Sequence, residues 1–172
     1  MGKPKGGGIS AGDIINAGNA VWGIVKDNKP SSAAKSAWCS ATPKSVKMVD
    51  IDGWRHASDR WNFTIENLYG IKCIECNFVL DYSYGGYTAD MPDARFLNDI
   101  RVGVGSCVVE WGYELNANAT VVGRPTFSGG NTKPVSRLAL DVVLNYGTVL
   151  RSAMYTYRLT FEGNGKCVRR GG

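Results

Sequence analysis

The only histidine, His56, lies in the stretch GWRHASDRW beside Ser58 and Asp59. Histidine is the side chain whose charge changes near neutral pH, and Ser, His and Asp are the three types a nucleophilic triad uses. Three near neighbours on one short segment rarely converge as nucleophile, base and orienter. His56 is therefore expected to be a solvated or turn-stabilising residue. The chain contains no H-E-x-x-H, no G-x-S-x-G and no P-loop. Gly103-Val104-Gly105 has phosphate-loop spacing, but no helix follows to present its backbone N–H groups. No paired catalytic groups emerge, so the expectation is a protein that is not an enzyme and uses no cofactor.

Five cysteines leave at least one unpaired or bridging to another chain. Cys73-Ile74-Glu75-Cys76 is a C-x-x-C, which in redox proteins opens a helix that lowers the thiolate pKa. Here it sits in an alternating stretch, so its sulfurs point to opposite faces, and no second C-x-x-C completes a zinc site. Cys76 and Cys107 are expected in the core, as small hydrophobes or as a cross-sheet disulfide, with Cys73 available to Cys39 or Cys167. Asp90, Asp93 and Asp99 gather around one segment without EF-hand spacing, which predicts a solvated acidic loop and no metal. Tyr82, Tyr84 and Tyr87, with Trp54 and Trp61 upstream, form the aromatic cluster. Such rings in a glycine-rich surface loop offer flat faces to sugars and polar tips to a lipid interface. The same tyrosines would equally suit a hairpin packing its rings across strands.

These residues must be positioned by strands. Over residues 71–87, Ile74, Cys76, Phe78, Leu80 and Tyr82 alternate with Cys73, Glu75, Asn77, Val79 and Asp81, which predicts a long strand with one buried face. Gly85-Gly86 then supplies the positive φ of a tight hairpin. Further strands are expected at 46–51, around Trp61, Phe63 and Ile65, at 100–104, 107–113 and 118–122, and in two long runs over 137–146 and 149–161. Residues 88–97 and 123–134 read as loops, and Asn145-Tyr146-Gly147 as a turn. Short strands with Gly and Pro turns indicate an all-β fold, an antiparallel β-sandwich or jelly roll.

One short N-terminal amphipathic helix is predicted over residues 10–28. Ser10 caps it, Asp13 follows three residues later, and Pro30 stops it. Ile14, Ile15, Val21, Trp22 and Val25 fall on one face. Gly12, Gly18 and Gly23 each cost about 1 kcal/mol relative to Ala, so the helix needs packing, a membrane surface or a partner. The organisation is then a Gly/Lys arm (1–9), a helix and small-residue linker (10–45) and a β-domain (46–170). Asn62 and Asn118 are glycosylation acceptors by rule. The opening residues lack a secretory signal pattern. The net charge of +5 is scattered, so nucleic-acid contact is expected only through the basic arm.

A short amphipathic helix, a small-residue linker and a basic, aromatic-rich β-domain together resemble the plan of actinoporin-type pore-forming cytolysins. The resemblance lies in the arrangement alone; the family's aromatic headgroup-binding motif has no match here. It implies a secreted or surface protein whose helix enters the bilayer and which self-associates into a homo-oligomer, with a lipid membrane as partner. A second expectation is a self-assembling, capsid-like protein using its arm and helix. A third is a glycan-binding module built on the tyrosine loop.

Overall fold

A computed structural model of the chain describes residues 37–130 and 133–171, and the predicted helix with its face Ile14, Ile15, Val21, Trp22 and Val25 lies outside them. The described residues form an all-β protein of nine strands in one sheet, with no α-helix among them. The strands are β1 (Ala37–Ala41), β2 (Arg55–Glu66), β3 (Lys72–Thr88), β4 (Met91–Val109), β5 (Tyr113–Val121), β6 (Thr126–Ser128), β7 (Val135–Thr148), β8 (Ser152–Glu162) and β9 (Cys167–Gly171). The main path is β2-β3-β4-β7-β8-β9, with β1 on β4 and both β5 and β6 on β7.

All pairings are antiparallel except one. β4 meets β7 in parallel through Arg95 and Val135, so the sheet is mixed. It curls strongly into a half-barrel. Its inner faces meet in one core holding Ile74, Cys76, Phe78 and Leu80 of β3 against Leu138, Leu140, Val142 and Leu144 of β7. The far edges approach through side chains. Trp61 of β2 lies edge-on to Tyr157 of β8, and Arg169 of β9 sits over the Trp61 ring while reaching Asp59 of β2.

The inward set predicted for β3 is buried throughout, Ile74, Cys76, Phe78, Leu80 and Tyr82, as are Leu138, Leu140, Val142 and Leu144 of β7; Cys73, expected to face outward, is buried too, and Tyr146 is only half-buried. Six local expectations are overturned. Thr126–Ser128 form β6 inside the expected loop 123–134, and the strand expected over 107–113 stops at Val109, with a turn at 110–112 before β5. Gly85-Gly86 is not a hairpin; β3 runs on to Thr88, and residues 89–90 make the turn. The glycines serve bulges and a close approach, since a Cβ on Gly86 would lie 2.6 Å from the Trp54 ring. Residues 91–97 are strand rather than loop, part of a β4 that continues through Gly103 and Gly105 to Val109. Residues 46–51 are not a strand but contain a 3₁₀ turn, Met48–Asp50. There Val46 and Val49, like Met48 and Ile51, stand three apart, the period of that helix. The turn after β7 lies at 149–151, not at Asn145-Tyr146-Gly147.

Candidate functional site

The large apolar side chains of the described region that are nearly fully exposed belong to turns, Val49 to the 3₁₀ turn and the others to three hairpin tips, while Val108 of β4 and Met154 of β8 are exposed on strands. Residues 67–71 join β2 to β3 and carry Leu68, Tyr69 and Ile71; residues 110–112 join β4 to β5 and carry Trp111; residues 149–151 join β7 to β8 and carry Val149 and Leu150. Leu68 is fully exposed, and Tyr69, Trp111, Val149 and Leu150 are 88–96 % exposed.

Register places all three tips at one end. The Glu110 N–H donates to the Cys73 carbonyl at 2.8 Å, which sets the β4–β5 turn beside the start of β3 and its tip. Tyr113, just past that turn, pairs with Thr148 at the end of β7. β4 and β7 leave the far end in parallel and finish here together. The turns are tightly made. Asn67 Oδ1 accepts from the Tyr69 and Ile71 N–H groups, Thr148 Oγ1 accepts from Leu150 and Arg151, and Gly112 takes φ +84°. Backbone and polar groups thus satisfy themselves inside each turn, and the apolar side chains project from it. The result is a crown of separately projecting side chains. Its formal charges are Glu66, Glu110 and Glu114 against Lys72 and Arg151, so its sum is close to zero.

The aromatic cluster foreseen as a surface loop is strand. Tyr82 is only 6 % exposed, stacks edge-on to Phe161 and donates its hydroxyl to the Gly165 carbonyl at 2.8 Å. Tyr84 is half-buried against Tyr82, Trp61 is buried against Phe78, and Tyr87 alone of the three tyrosines is exposed. Burial raises the Tyr82 hydroxyl above its ordinary range. Tyr82, Tyr84 and Trp61 are committed to packing.

His56, Ser58 and Asp59 do not converge, because alternation sends Asp59 to the inner face, where Arg169 holds it. His56 instead lies opposite Ser83, whose Oγ is 2.8 Å from His56 Nδ1. Ser83 is buried, and with His56, Ser58, Asp81 and Asp99 it lines an open cleft of about 260 Å³. Of the predicted acidic loop, Asp93 meets Lys133 and Asp99, at a β4 bulge, meets Arg101. Asp90 sits in the β3–β4 turn.

The five cysteines are free thiols. Cys76 and Cys107 are directly opposite in the β3–β4 register. Since Cys73 and Glu110 share a ladder hydrogen bond, Cys76 and Cys107 form a non-hydrogen-bonded pair, the closer kind. The two thiols are hydrogen-bonded to each other; that contact, then burial, raises the Cys76 thiol. Burial pushes Cys39 up to about 12. Cys73 is buried despite its outward phase, and its thiol donates to the Ile71 carbonyl at 3.3 Å.

The chain matches no protein-family model, no curated protein and no solved structure. The crown escaped sequence reading because Leu68 and Tyr69 fell between expected strands, while Trp111 and Val149 were counted within alternating ones. The available signal was local: Leu68-Tyr69-Gly70, Trp111-Gly112 and Gly147-Thr148-Val149-Leu150 put large apolar residues directly against turn formers.

Proposed function

We propose that the protein acts by association with lipid membranes, docking through the crown of hairpin tips. The observation that carries this is the placement of Leu68, Tyr69, Trp111, Val149 and Leu150 on three separate turns at one end. Scattered exposed apolar residues are ordinary, but a contiguous set is a mark of interaction. Their separation favours lipid over protein: side chains projecting singly from three tips suit a fluid acyl layer, whereas protein interfaces need matched, close-packed surfaces. Trp and Tyr are also the residues of the membrane–water boundary. The crown's near-zero charge assigns the affinity to apolar insertion rather than to anionic lipid.

On this reading the curled sheet is a jelly-roll-like sandwich serving as a rigid support. Ile14, Ile15, Val21, Trp22 and Val25 are a second lipid-facing element, deeper insertion and self-association into a pore follow docking, and the site of action is extracellular or cell-surface. The test is binding of the full chain to zwitterionic phosphatidylcholine vesicles, read by co-sedimentation and by quenching of Trp111 fluorescence with brominated lipid. Binding should survive high salt, which screens charge but not apolar insertion. Absence of binding, with large particles forming without lipid, would replace this reading by the capsid-like one.

A further inference from the structure

The outer face of β7, β8 and β9 carries a second, unrelated surface. A cleft of about 260 Å³ there is lined by Arg137, Arg158, Thr160, Glu162, Lys166 and Arg170. It holds four cations and one carboxylate, and its acids are placed beneath the cations. Arg158 grips Asp141 through Nε and a terminal nitrogen at 2.7 and 2.8 Å. Arg137 donates to Glu162 at 2.7 Å. The Asp141 and Glu162 side chains are only 19 % and 17 % exposed, against 54 % and 51 % for their arginines. The carboxylates therefore orient the guanidinium groups, while the face turned to solvent is positive.

The register adds a second observation. Arg158 stands directly opposite Arg170 on the edge strand β9. Like charges opposite each other across an antiparallel pair are destabilising, and Asp141 offsets only one of the two. Each fixed arginine keeps unused N–H donors in a planar fork, the geometry that matches a tetrahedral oxyanion. We propose that this cleft binds a phosphate or sulfate monoester group, seated between the Arg137 and Arg158 forks and closed by Arg170 and Lys166. From the Asp141–Arg158 row to the crown at Thr148 is seven residues of β7, or roughly 24 Å of strand. A bilayer holding the crown therefore does not supply this ligand from its own surface, and the proposal does not rest on the membrane reading.

The experiment is titration of the full chain, without lipid, by inorganic phosphate, inorganic sulfate and a hexose monophosphate, following backbone amide shifts in β8 and β9 with chloride as control. Saturable shifts, competitive between phosphate and sulfate, are expected. Arg170→Ala and Lys166→Ala should each weaken binding about tenfold, the loss of one charge-assisted hydrogen bond, with melting temperature unchanged. Arg170→Lys should recover only part. A parallel arm uses vesicles carrying a phosphomonoester lipid and a Leu68→Ala/Leu150→Ala chain to silence the crown. Saturation by the soluble esters identifies a free ligand, and binding confined to those vesicles identifies a headgroup; both sustain the site. Linear, chloride-matched shifts together with no binding to those vesicles, or variants that bind as the unmodified chain does, overturn it.

Discussion

Replacing Leu150 with alanine isolates the crown from the fold. Leu150 projects from the 149–151 turn, 91 % exposed, so the folded domain gains almost nothing from its side chain. The turn is held by backbone donation to Thr148 Oγ1, which alanine preserves. Stability should therefore change by no more than about 0.5 kcal/mol, the usual range for a surface substitution away from special features. In lipid the same side chain is worth far more. Leucine exceeds alanine by three carbons, and each buried carbon contributes about 0.8 kcal/mol, or about 2.4 kcal/mol in all. At 1.4 kcal/mol per decade that is a loss of roughly 50-fold in vesicle affinity. Leu68 stands on a different turn and is fully exposed. Leu68→Ala should cost a similar factor, and the double variant should lose about the product of the two, since the sites share no contact. Vesicle co-sedimentation over a lipid titration gives the affinities, and thermal unfolding gives the stability. If Leu150→Ala binds vesicles as tightly as the unmodified chain, the crown does not enter lipid. If it unfolds the domain, the side chain is not the free projection described here.

Phe78 is fully buried at the centre of β3, stacked on Trp61; Phe78→Ala should cost about 3–5 kcal/mol in denaturant unfolding, and a loss below about 1 kcal/mol would contradict its central packing. Asp141 has its pKa depressed by the Arg158 hydrogen bond, so its contribution is present above the unfolded carboxylate pKa and is lost as pH falls through the lower folded value. Asp141→Asn should accordingly flatten the acid limb of the melting-temperature profile and leave its slope near pH 7 unchanged; an unaltered acid limb would show that the pair adds no pH-dependent stability.

What the sequence determined by itself was the inside of the sheet. A period of two at Ile74–Tyr82 and Leu138–Tyr146 is a local property of an extended chain, because successive side chains must point to opposite faces. Burial of one face then follows from hydrophobicity alone. The same logic could not say where strands end. Glycine pairs mark both turns and bulges, so Gly85-Gly86 suited a hairpin until the Trp54 ring was seen against Gly86. Alternation put Tyr82 inward while its aromatic, glycine-rich surroundings suited a displayed loop; the choice falls to the core because Phe161 and the Gly165 carbonyl are brought to it from 79 and 83 residues away. Both proposed surfaces are products of register. Leu68, Trp111 and Leu150 lie some 40 residues apart along the chain, and they share one end because β3 pairs with β4, β5 with β7, and β4 with β7 in parallel. Arg137, Arg158 and Arg170 share a cleft because long-range pairing stacks β7, β8 and β9. Side-chain direction is written residue by residue, whereas proximity between distant strands depends on which edges pair, and that is settled only when the whole sheet closes over its core.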